Sequence, residues 1–156
     1  MAMTPRAIQL AISLIQGFEG LRLTAYQDTG GVWTCGYGQT GPDITESTVW
    51  TAAQAWARLW ASVQEVASQV AALVTVPLTD HQAAALISFT YNVGRGAFAG
   101  STLLRELNAG NYADVPHQMT RWNQDDGKVL QDLVDRRNLE GRVWSTPVSD
   151  AVTETV

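Results

Sequence analysis

Residues 21–41 interrupt an otherwise helical pattern, and that interruption constrains the fold more than any other feature of the chain. Leu23, Ala25 and Tyr26 form one short β-prone run, and Val32, Trp33, Thr34 and Tyr37 belong to a second. Asp28-Thr29-Gly30-Gly31 separates the two, and Gly36, Gly38 and Gly41 punctuate the second run and the turn beyond it. Short runs of β-branched and aromatic residues between glycine turns predict a small antiparallel meander. Asp28 then sits at its first turn and Thr34 on its second strand.

The flanking segments follow the helical period. Thr4-Pro5 is a good helix start, with Thr as N-cap and Pro in the first turn. Ile8, Ala11, Ile12, Ile15 and Phe18 follow at helical spacing, and Gly20 supplies a stop. From Thr45 helix is expected again. Thr51 caps a long helix with a stripe of Trp56, Leu59, Trp60, Val63, Val66, Ala67, Val70 and Leu73, and Pro77 stops it. Thr79 and Gln82 form a capping box, with Leu78 as staple, for a helix carrying Ala83, Leu86, Ile87, Thr90 and Tyr91 and ending at Gly94. Shorter helices are predicted at 103–108 and 115–122 and a last one at 132–144. The fold class is α+β: a lead helix, a small antiparallel sheet lobe and a larger helical lobe that supplies most of the core. One domain is expected over 1–146, with 147–156 as a frayed tail.

Composition narrows the function. The formal net charge is −5 and the pI about 4.8, against the basic face of a nucleic-acid binder. Cys35 is the only cysteine, so no intramolecular disulfide can form. Gln9, Ser13, Gln16 and Glu19 interrupt the first apolar stretch, which does not read as an export signal, and no apolar run approaches a membrane span. A soluble, cytoplasmic protein without stable membrane insertion is the expectation. His81 and His117 are isolated from further ligands, so neither metal nor cofactor is implied. Gly36, Gly38 and Gly41 lack the Lys-Ser/Thr of a phosphate loop and read as turn glycines. Cys35 reads as a half-buried strand cysteine, and Trp50, Trp56 and Trp60 as core or interlobe packing rather than a sugar platform.

Glu19 lies four residues after Ile15 and seven after Ile12, on the apolar side of the last turn of the lead helix. Taken alone, that position also suits a helix end fraying into solvent. Breaking a glycosidic bond needs a proton for the leaving oxygen and help for an oxocarbenium-like centre. A partly buried Glu suits the first task, and a more solvated carboxylate such as Asp28 the second. Thr34 adds a hydroxyl that can hold water.

These residues occur as a helix-ending Glu19, Asp28 nine residues on, Thr34 six beyond that, and the turn Gly36-Tyr37-Gly38. In this the chain resembles the phage-type lysozymes, glycoside hydrolase family 24. The resemblance extends through Ser88-Phe89-Thr90-Tyr91-Asn92-Val93-Gly94, Ala97-Phe98, Ser101-Thr102-Leu103-Leu104, Leu107-Asn108 and Gly110 to Trp122, Arg136-Arg137, Glu140 and Trp144. It covers roughly residues 8–144. The family commonly has His where this chain has Gln39, and its members tend to be basic.

The resemblance implies a lysozyme-like fold with a cleft between the lobes. It implies a muramidase, an endolysin that hydrolyses the β-1,4 bond between N-acetylmuramic acid and N-acetylglucosamine in peptidoglycan for host lysis. Glu19 would be the acid, Asp28 and Thr34 would hold the attacking water, and the outcome would be inversion. Thr40, Tyr91 and Ser101 would line the cleft; a turn hydroxyl, a core aromatic and a helix cap explain them equally well. One of Arg136 and Arg137 would orient Glu19, unless both are solvated charges. The partners implied are peptidoglycan glycan strands and a holin that releases a monomeric enzyme from the host cytoplasm. Two rivals fit the same residues: a lytic transglycosylase, and a non-catalytic wall-binding or virion structural module.

Overall fold

The computed structural model describes residues 2–148, so the tail expected at 147–156 lies almost wholly outside the described residues. Helix α1, Pro5–Glu19, begins as its sequence requires: the Thr4 hydroxyl accepts the Ala7 N–H, and Pro5 stands in the first turn. It buries Ala7, Ile8, Ala11, Ile12 and Ile15 along one face. Gly20, at φ +64°, ends it and turns the chain into strand β1, Arg22–Gln27.

Strand β1 pairs antiparallel with β2, Trp33–Gly36, with Tyr26 opposite Thr34 and Gln27 opposite Trp33. The register is irregular between Arg22 and Tyr26. Single bridges, Thr24 to Val49 and Cys35 to Gln39, complete the lobe. The expected meander is thus one hairpin with two bridges. Residues 45–50, expected as helix, are not helical. Their backbone is engaged by the sheet lobe instead, with Trp50 N–H donating to the Leu23 carbonyl and Ala25 N–H to that of Thr48.

Helix α2, Ala52–Leu73, opens with a capping box between Thr51 and Gln54. Its buried stripe is Ala55, Leu59, Val63, Ala67 and Val70. Trp56 and Trp60 are not part of it. Each stands one residue, about 100° of helix, beyond a buried position, and each is 45% exposed. The alanines keep the buried stripe narrow, so the indoles fall on its solvent edge.

Helix α3, Asp80–Val93, is the axis of the helical lobe. Its Thr79–Gln82 capping box forms as expected, and residues 83–90 are buried without interruption. A helix buried on all sides needs neighbours all round, and α1, α2 and α7 supply them. Phe89 packs edge-on against Phe98 and Trp122. Truncating it to Ala would cost about 3–5 kcal/mol. The remaining helices are α4 (Arg95–Ala99), α5 (Thr102–Asn108), a 3₁₀ turn (Tyr112–Asp114), α6 (Val115–Thr120) and α7 (Gln131–Trp144). A hairpin of β3 (Gln124–Asp125) and β4 (Lys128–Val129) precedes α7. Asp126 and Gly127 at its tip both have positive φ, the conformation an Asp-Gly hairpin turn takes up. The architecture is α+β, a small antiparallel sheet lobe beside a larger helical lobe, as expected.

Candidate active site

Glu19 is the last residue of α1, and its side chain is 17% exposed. Its Oε1 accepts a hydrogen bond from Arg136 Nη1 at 2.7 Å. Arg136 comes from α7, is 9% exposed at its side chain, lies over the Phe18 ring and donates a second hydrogen bond to the Phe18 carbonyl. Burial works against its charge, but the hydrogen bond and charge of Glu19 outweigh that and hold the guanidinium above its usual value. Arg136 Nε lies 3.4 Å from Asp132 Oδ2. That is a charge contact and not an aligned hydrogen bond, because the same N–H has no hydrogen-bond acceptor.

On the other side of Glu19 stands the end of the sheet lobe. Gly38, at φ +71°, approaches so closely that a Cβ there would lie 2.5 Å from Glu19 Oε2. The carboxyl is therefore held between a guanidinium and a bare backbone.

Asp28 occupies the turn of the β1–β2 hairpin. Its Oδ1 accepts the N–H groups of Gly30 and Val32, both at 2.9 Å, which fixes the carboxylate while Oδ2 bonds to no group among the described residues. Thr34 is 4% exposed, and its hydroxyl donates to the Val32 carbonyl at 2.9 Å. With the proton so directed, the lone pairs of Thr34 Oγ1 remain as acceptors.

Glu19, Asp28, Thr34, Thr40, Tyr91 and Arg136 all line one cleft of about 620 Å³ between sheet lobe and helices. Tyr91 donates to the Tyr37 carbonyl at 2.9 Å and accepts from Gln39, whose amide oxygen takes the Ser62 hydroxyl. Burial, then the charge of Glu19, raises the Tyr91 phenol pKa, so it stays protonated. Gln39 thus serves as a neutral hydrogen-bonding bridge. Ser101 is not in this cleft. It is 5% exposed and caps α5, accepting from Leu104 N–H and donating to the Phe98 carbonyl. Arg137 turns away from Glu19 and meets Glu140 at 2.7 Å, so Arg136 is the partner of Glu19 and neither arginine is solvated.

Asp132, beside Arg136, carried no sequence signal; Gly38 and Asn92 lay within matched motifs, yet nothing in the sequence gave them a place in the cleft. A second hollow of about 510 Å³, walled by the β3–β4 hairpin, shares Asp28, Asn92 and Asp132 with the first. The two form one groove. An apolar hollow of about 490 Å³ between α1 and α7 holds none of this chemistry.

A family model described as phage lysozyme matches residues 16–140. The chain is 42% identical over 147 residues to an endolysin of Bacillus phage B103, covering 93% of this chain and 56% of that protein. It therefore spans little more than half the length of that relative. Among solved structures it is similar to the endolysin from Escherichia coli O157:H7 phage FAHEc1, with a TM-score of 0.82 and 32% identity over 96% of this chain and 97% of that one. The muramidase domain of SpmX from Asticcacaulis excentricus matches with a TM-score of 0.80 and 37% identity, over 88% and 95% respectively.

Proposed function

Because the chain belongs to the phage lysozyme family, we propose that it is an endolysin muramidase that hydrolyses the β-1,4 bond after N-acetylmuramic acid in peptidoglycan. One observation carries the reading: a helix-ending carboxyl clamped by Arg136 shares a single cleft with Asp28 and Thr34. Glu19 delivers the proton to the leaving oxygen. The attacking water donates one hydrogen to Asp28 Oδ2 and the other to Thr34 Oγ1, so its lone pair is left to face the anomeric carbon. Asp28 takes the proton as the water adds, and the anomeric configuration inverts. Thr40 and Tyr91 flank the sugar; Ser101 has a capping role.

In the same reading the enzyme acts from the host cytoplasm once a holin opens the membrane. Expression with and without a holin tests this, and lysis without one would contradict it. The acidic net charge supplies no long-range attraction toward an anionic wall polymer, so recognition rests on contacts in the cleft.

The catalytic assignment is tested by Glu19→Gln on purified sacculi. The amide is nearly isosteric and can keep an oxygen toward Arg136, so folding should persist. Clearing should fall by about 10²–10⁴-fold, the usual contribution of a general acid. Near-normal clearing by the folded variant would remove Glu19 from the acid role.

A further inference from the structure

Three side chains line both hollows of the groove: Asp28, Asp132 and Asn92. The two carboxylates only accept hydrogen bonds. Asn92 is the one group of the three that can donate. Which way its amide points is settled by a neighbour: Arg137 Nη2 donates to Asn92 Oδ1 at 2.9 Å. A guanidinium has donors and no acceptor, so the oxygen must face it and the NH₂ must face elsewhere. Asn92 is exposed, and its Nδ2 donates to no group among the described residues.

Arg137 is itself immobilised. It is 1% exposed, lies over the Phe89 ring, donates to the Trp122 carbonyl at 3.4 Å and sits 2.7 Å from Glu140 Oε1. Its Nε–H is not aligned on that oxygen, so this is a close charge contact. Glu140 is fully buried, and its other oxygen takes the Ser88 hydroxyl at 2.7 Å. A buried ion pair is a poor way to stabilise a core, because both charges lose their water. This one ends at a cleft side chain and fixes its amide.

We infer that Asn92 is a specificity-determining residue whose Nδ2 hydrogen-bonds the acetamido carbonyl of the glycan, with Arg137 holding the amide in that orientation. The inference rests on the muramidase reading. The chemistry selects the group: sugar hydroxyls can donate to Asp28 and Asp132, whereas an amide carbonyl is an acceptor only and needs an N–H. Two other strong donors lining the cleft are already engaged. Arg136 serves Glu19 and Phe18, and the Tyr91 hydroxyl serves Tyr37.

The experiment compares clearing of ordinary and chemically de-N-acetylated sacculi by wild type, Asn92→Asp and Asn92→Ala, with thermal melting of each. Asp keeps an acceptor for Arg137 but adds charge near the exposed amines; Ala adds no charge but leaves Arg137 short of a partner. Both lose the donor. Wild type should prefer the acetylated substrate by about tenfold, the worth of one hydrogen bond, and both variants should bring the ratio near one. Variants that keep the wild-type ratio, or a wild type that cleaves both substrates equally, would overturn the inference and leave the muramidase reading standing. A wild type that clears neither would overturn both.

Discussion

Replacing Gly38 by Ala separates stability from catalytic geometry. The added Cβ would lie 2.5 Å from Glu19 Oε2, 2.8 Å from Cδ and 3.3 Å from Cγ. At an ordinary separation of roughly 3.5 Å the carboxyl must withdraw by about 1 Å. Because Oε2 ends a flexible side chain it can yield, so the steric overlap itself costs little stability. The backbone is less forgiving: an L-residue at φ +71° costs roughly 1–2 kcal/mol. At about 2–4 °C per kcal/mol for a chain of this size, Tm should fall by roughly 2–8 °C. Activity should suffer more, since a misplacement of about 1 Å can cost about 100-fold. Differential scanning calorimetry and sacculus clearing read the two effects apart. Gly17→Ala is the matched control. That residue lies within α1, and a Cβ added there would meet open space, so the change should add about 0.5–1 kcal/mol of stability and leave clearing unchanged. A Gly38→Ala enzyme that clears sacculi at close to the wild-type rate would refute the reasoning about how Glu19 is held.

Two other perturbations draw on the same contacts. Arg136→Gln removes a charged hydrogen bond to Glu19, which should lower stability by about 1.5–3 kcal/mol in urea denaturation and slow clearing; an unchanged urea midpoint would show the pair contributes nothing. Burial pushes the Glu140 carboxyl up from 4.5 to about 7, with the adjacent Arg137 charge pulling it back. The folded protein therefore keeps a proton that the unfolded chain releases, and stability should fall as pH rises from about 4.5 to 7 and then level off. The drop is bounded at roughly 3 kcal/mol, and its absence from Glu140→Gln, measured as the difference between the two proteins across that window, identifies its source. A wild-type difference that does not change with pH would count against the shift.

The elements legible in sequence were those whose signals are local. Thr4-Pro5, the Thr51 cap and the Thr79–Gln82 box each concern one helix start, and each forms where it was expected. The Glu19–Asp28–Thr34 spacing was legible because a helix end and a hairpin turn are joined by a short chain. What depends on the far side of the molecule was not. Arg136 and Arg137 are adjacent in sequence and about 100° apart on α7, so only the docking of α7 on α1 and α3 decides which meets Glu19. Trp56 and Trp60 looked like stripe residues because large apolar side chains outweigh alanines in any periodicity count, yet Ala55 and Ala67 occupy the buried face. Ser101 carried two readings, cleft residue and helix cap, and its contacts are those of a cap. The β3–β4 hairpin did leave a signal, Asp126-Gly127, but strands of two residues are too short to show alternation.

The anomeric form of the first product tests the central assignment most directly. Wild-type enzyme is mixed with purified glycan strands, and the anomeric proton of the new reducing end is followed by NMR before mutarotation. If Glu19 protonates the leaving oxygen while Asp28 and Thr34 direct water from the opposite face, the carboxyls stand roughly 6.5–9.5 Å apart. The fresh N-acetylmuramic acid end is then the α-anomer. Thr34→Ser should give the same α signal at a useful rate, and Thr34→Ala should give it more slowly. A β-anomeric product would contradict the account by making Asp28 or another group a nucleophile, and an anhydro end with no reducing sugar would mean that no water is activated at all.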